Sequence, residues 1–77
     1  MKRFYDEMAK EILKRLSEHC LPRIRVSDEM GENYATFQSH LTLRTARPPG
    51  WEDRVFAAID RVRIRMEAAE RAYKEAA

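Results

Sequence analysis

The stretch from Trp51 to Ala77 constrains the rest of the chain. Val55, Ile59, Val62, Met66, Ala69 and Tyr73 recur there at alternating steps of four and three, and Phe56 widens the row at its start. Such spacing keeps one apolar stripe on one side of an α-helix. A helix of about 25 residues runs about 38 Å at 1.5 Å per residue, longer than so small a domain is wide. Everything upstream is therefore expected to pack along it or to leave part of it for a partner. Glu52 and Asp53 fall in its first turn, where acidic side chains suit the positive end of the helix dipole. The helix is expected over about 51–75, with an Ala/Glu-rich, frayed end from Glu67 to Ala77.

The first twenty residues carry a second helical pattern. Tyr5, Met8, Ile12, Leu16 and Cys20 share one face, with Phe4, Ala9 and Leu13 beside it. Asp6–Lys10, Glu11–Arg15 and Lys14–Glu18 stand at i,i+4 on the other face, each giving a few tenths of a kcal/mol. Pro22 cannot continue a helix and biases Leu21 toward an extended form, so this helix is expected over about 2–20, ending near His19 or Cys20.

Between the two helices the pattern suggests strands. Arg23-Ile24-Arg25-Val26 alternates polar and apolar, giving a strand over about 23–28. Asp28 to Asn33 has the composition of a hairpin turn, with Gly31 and Asn33 able to take positive φ. A second run over about 34–46 sets Ala35, Phe37, Leu41 and Leu43 against Thr36, Gln38, His40, Thr42 and Arg44, with a bulge expected at Ser39. The expected fold is α+β: a single domain in the order αββα, with a two-stranded antiparallel sheet packed on two helices. The second strand outruns the first, and its unpaired edge is expected to pair with a second copy, giving a homodimer. Arg47-Pro48-Pro49-Gly50 forms a stiff connector.

At 77 residues the chain buries only about 60% of its unfolded surface, so its core leaves a thin margin. Cys20 is the only cysteine, which rules out an internal disulfide and favours oligomerisation or a partner as the supplement. No apolar run approaches the roughly 18 residues of a membrane span, and the N-terminus has no signal-peptide core. A cytoplasmic protein is expected, and its start at Met1 reads as that of a complete small gene product.

The net charge of +2 does not by itself imply nucleic acid, but eleven arginines against four lysines favour planar, bidentate recognition. Arg54, Arg61 and Arg65 form a row on the last helix without an acidic residue at i±3 or i±4, so they are candidates for a partner's phosphates or acidic surface. Arg23, Arg25 and Arg44, with Tyr34 and His40, are expected on the outward face of the hairpin, together with Arg47. Trp51 either caps the core or anchors an interface.

Chemistry is sparsely represented. His19 and Cys20 are adjacent, so on a helix their side chains diverge by about 100° and cannot easily share a metal. Cys20 reads as a small buried hydrophobe. Gly31 and Gly50 are the only glycines, and neither begins a phosphate cradle. No enzyme activity, cofactor or metal is expected. The leading expectation is a non-catalytic protein-binding module, of the kind that phage or mobile elements use to inhibit a host nucleoprotein complex, anti-CRISPR proteins among them. The alternative is a small nucleic-acid-binding protein that uses the arginines of the hairpin and final helix.

Overall fold

A computed structural model of the chain describes residues 5–76, and the expected start of the first helix at Lys2, like Ala77, lies outside them. Four helices follow one another: α1 (Glu7–Glu18), α2 (Arg23–Glu29), α3 (Tyr34–Leu41) and α4 (Trp51–Ala76). No strand occurs among the described residues, so the αββα expectation is corrected to an all-helical fold. The expected strands 23–28 and 34–46 are α2, and α3 with the loop after it. With them goes the strand edge on which a homodimer was expected to form.

The outer helices match the pattern that foretold them. The side chain of Asp6 caps α1, its Oδ1 accepting from the Ala9 amide at 2.9 Å. Ala9, Ile12 and Leu16 form its buried face. Arg15–Glu11 and Lys14–Glu18 pair as expected, whereas Lys10 pairs with Glu7 rather than with Asp6. Before α4, the Trp51 amide donates to the Pro48 carbonyl, closing a turn with proline second and glycine third, and Gly50 takes the φ of +76° this turn requires. Trp51, Val55, Ala58, Ile59 and Val62 are the buried residues of α4.

The inner helices are short, and their packing shows why an alternating pattern misleads. Val26 and Ser27 are buried on α2, and Phe37, His40 and Leu41 on α3. The spacing Phe37–His40–Leu41 is the i, i+3, i+4 set of a helix. Ile24 and Leu43, expected to point inward, are 52% and 43% exposed, and Ala35 is exposed too. Helices of seven and eight residues are too short to hold alone in water, so tertiary packing fixes them.

The first three helices end in the same way. After α1 the Leu21 amide reaches the Leu16 carbonyl at 2.8 Å, after α2 the Glu32 amide reaches Ser27 at 2.9 Å, and after α3 the Arg44 amide reaches Ser39 at 2.8 Å. This six-to-one closure needs a left-handed residue just before the donor. Gly31 supplies it at φ +68°, but Cys20 (+54°) and Leu43 (+59°) also supply it without being glycine. The twist turns Cys20 into solvent, which corrects its expected burial.

Both α1 and α2 pack on α4, and α3 packs on α2. The core gathers Ile12, Leu16, Val26, Phe37, Leu41 and the first half of the α4 stripe. Trp51 is 0% exposed at its centre, with its ring centroid 5.7 Å from those of Phe37 and His40. The molecule measures 46 × 23 × 18 Å, its long axis reflecting the reach of α4.

Candidate nucleic-acid interface

Four residues, Met30-Gly31-Glu32-Asn33, join α2 to α3. Gly31 turns the chain out of α2, and Asn33 starts α3 with its Oδ1 accepting from the Ala35 amide at 2.8 Å. The Arg23 guanidinium on α2 donates to Gln38 Oε1 on α3 at 3.1 Å, tying the two helices together. α2, this glycine-containing turn and α3 follow one another as a short helix-turn-helix segment of the chain. Its inner surface is Val26, Ser27, Phe37 and Leu41; the small Ser27 is fully buried, its hydroxyl donating to the Ile24 carbonyl.

The outer surface of α3 is uncharged and polar. Tyr34, Ala35 and Thr36 are exposed, and Gln38, Ser39 and Thr42 are half-buried. Not one aspartate or glutamate occurs between Asn33 and Gly50, in a chain with 13 acidic residues. Glu32, just before this segment, accepts from Trp51 Nε1 at 3.1 Å and is thereby held at the core.

Arg47 is the inward-facing cation of the same segment. Its Nε donates to the His40 carbonyl at 2.8 Å and one terminal nitrogen to the Leu41 carbonyl at 3.1 Å, so it closes the carbonyl end of α3. Both terminal nitrogens also grip the Asp6 carboxylate, at 2.8 and 2.9 Å. The guanidinium lies 5.5 Å from the Trp51 ring centroid. The Arg47 hydrogen bond, more than any other influence, holds the Asp6 carboxyl below the ordinary aspartate value. Arg47 was expected on an outward hairpin face; here its side chain is 8% exposed.

The other expected site residues divide into two groups. Arg61 and Arg65 of the α4 row both donate to Glu29 Oε1 at 2.8 Å, so an acid from another helix pairs them. Those two bonds, Arg65 first, lower the Glu29 carboxyl below the usual glutamate value. Arg54, third in the row, is exposed and has no ion pair among the described residues. Arg25 and Arg44 are likewise exposed and unpaired there. Arg23 is half-buried on Gln38, and Trp51 is core. His40 is 9% exposed, its Nδ1 3.1 Å from the Thr45 hydroxyl. Tyr34 opens α3 at 40% exposure. The structure thus brings Tyr34, Arg25 and Arg44 to the helix-turn-helix unit, and takes His40, Trp51 and Arg47 out of reach of a partner.

Sequence reasoning overlooked Glu29, Asp6 and the outward residues Ala35, Ser39 and Thr42. The acid-free run 33–50 was the signal for the last three; the long-range ion pairs leave no local trace. Among the described residues no group of three or more His, Cys, Asp or Glu side chains is placed to hold a metal, and no helix is long and apolar enough to cross a membrane. No family model, curated protein or solved structure matches the chain.

Proposed function

We propose that this protein binds duplex DNA, with α3 lying in the major groove. The observation that carries the reading is the outer face of α3: polar, uncharged, and set in an acid-free segment of 18 residues. A major groove about 12 Å wide admits one helix, and amide and hydroxyl side chains there hydrogen-bond base edges. Thr36 and Ser39 supply such groups, with the amide nitrogen of Gln38 beside them, because the Gln38 oxygen accepts from Arg23 and the Thr42 hydroxyl donates to the Gln38 carbonyl. The exposed Arg44, just after α3, is the flanking phosphate contact. A-form RNA has a major groove too deep and narrow for this, which favours DNA.

The reading as a protein inhibitor leaned on a strand edge and on three unpaired arginines. The chain offers no strand among the described residues, and two of those arginines are held by Glu29. The projecting end of α4 is its remaining support.

The test is selection from a randomised duplex library, followed by fluorescence anisotropy on the enriched sequences across a salt series. Binding is expected to weaken with salt at a log–log slope of about −0.9 per phosphate contacted. Ser39→Glu is expected to weaken it about tenfold or more while leaving the circular dichroism spectrum unchanged, because a carboxylate would face the groove. Absence of binding to any duplex at about 50 mM salt, where even non-specific association is tighter than the roughly 10⁻⁴ to 10⁻⁶ M typical of physiological salt, would overturn the reading.

A further inference from the structure

Gln38 is half-buried on the flank of α3 that meets α2. Arg23, in the first turn of α2, is half-buried too, and its guanidinium donates to Gln38 Oε1 at 3.1 Å. A guanidinium carries donors and no acceptor, so chemistry decides which end of the amide meets it. The oxygen must face Arg23, and the nitrogen is left over. Among the described residues that nitrogen has no partner. No side-chain nitrogen or oxygen among them is both buried and unpartnered, so the Gln38 nitrogen is open to solvent. The Gln38 backbone carbonyl is occupied as well, by the Thr42 amide at 3.0 Å and the Thr42 hydroxyl at 2.8 Å. Gln38 therefore offers donors alone, and an amide whose oxygen accepts from a cation is polarised into a stronger N–H donor.

We propose that Gln38, held by Arg23, makes α3 select guanine at one position of its DNA site, an inference that rests on the reading of α3 as the helix in the major groove. In that groove guanine presents two adjacent acceptors, N7 and O6. Adenine sets the N7 acceptor beside the N6 donor, thymine presents O4, and cytosine presents the N4 donor. A free glutamine suits adenine, because its oxygen accepts from N6 while its nitrogen donates to N7. With that oxygen occupied, the adenine pair loses one of its two bonds and sets N6 against N–H groups, donor against donor. Cytosine offers the Gln38 nitrogen no acceptor. Thymine O4 is a single acceptor, whereas guanine accepts from both N–H groups at once. The positive charge of Arg23 behind the amide favours the same acceptor-rich edge. Arg23 is a positioning residue here: it sets the choice of base through Gln38. The two stand 15 positions apart on neighbouring helices, so the packing of α2 on α3 carries the specificity.

The experiment compares the duplexes enriched from a randomised library by the unaltered chain, by Gln38→Ala and by Arg23→Met, each checked for folding by circular dichroism. The position whose preference is lost in Gln38→Ala is the one Gln38 reads. For the unaltered chain it should be guanine, preferred over adenine about fivefold or more. For Arg23→Met, whose Gln38 oxygen is released, it should become adenine. Arg23→Lys should keep guanine, since an ammonium also donates to that oxygen. A second measurement needs no variant. In the complex of the unaltered chain, 7-deazaguanine at that position removes N7 and should weaken binding about two- to tenfold, as the loss of one hydrogen bond does. Inosine, which lacks only the minor-groove amino group, should bind as guanine does. Any base but guanine at that position would overturn the inference, as would guanine retained by a folded Arg23→Met or a Gln38→Ala that alters no position. Indifference to 7-deazaguanine, or a loss with inosine, would also overturn it. In each of these cases duplex DNA is still bound and the reading of α3 stands; a chain that binds no duplex removes both.

Discussion

Arg47 and Asp6 meet across 41 positions of sequence in a two-pronged ion pair, 2.8 and 2.9 Å, and the same guanidinium holds two carbonyls of α3. The pair joins the cap of the first helix to the end of the third. Both are positions where backbone groups lack helical partners.

Arg47→Ala should therefore be among the most damaging substitutions. It strands a partly buried carboxylate and releases the His40 and Leu41 carbonyls, a loss of about 3 kcal/mol or more. A domain with about 5 kcal/mol in hand would sit close to unfolding. Arg47→Lys should recover little, because a single ammonium cannot reproduce the fork. Urea denaturation followed by the fluorescence of the sole tryptophan, Trp51, measures both.

Acid should weaken the fold through the same residue. The folded Asp6 carboxyl titrates below its ordinary value of 3.8. Its contribution is then fully present above that value and is lost as the pH falls through the lower folded one. Glu29, lowered from 4.5, acts in the same direction. Asp6→Asn should cost stability at neutral pH and flatten the acid limb of a stability-versus-pH curve. An unchanged limb would remove Asp6 from that role.

Glu29→Ala should behave differently. Its partners Arg61 and Arg65 are 52% and 68% exposed, so water and salt already screen the pair. The loss should be smaller than for Asp6→Ala and should shrink further at about 1 M salt, where the screening length is about 3 Å. Thermal melts at two ionic strengths test the order.

The left-handed residues allow a prediction of opposite sign. Leu43→Gly and Cys20→Gly should each stabilise by about 0.5–1 kcal/mol, since both side chains are exposed and both backbones sit where glycine is favoured. Gly31→Ala should destabilise by about 1–2 kcal/mol for the same reason, although nothing lies within 4 Å of the added carbon.

The two long helices were readable because their apolar periods run for several turns and their ends carry plain signals. Pro22 ends the first, and Pro-Pro-Gly precedes the last. The centre was not readable in the same way. Arg23-Ile24-Arg25-Val26 is four residues long, too few to separate a period of two from one of 3.6. Gly31 and Asn33 were taken as a hairpin turn, but Gly31 at φ +68° ends one helix and Asn33 at φ −62° caps the next. Ser39, read as a flaw in a strand, is the outward residue between Phe37 and Leu41. Within the candidate site, Arg25, Arg44 and Tyr34 reach the expected exposed setting. Arg47, Trp51 and His40 do not, because their positions depend on contacts with α1 and α4 that no local pattern records.

The two sides of α3 have separate duties. Phe37, His40 and Leu41 fix the helix to its neighbours, while Ala35, Ser39 and Thr42 look outward. Changes on the outward side leave the buried contacts intact, so the surface of α3 is free to drift across generations while the frame beneath it stays constant.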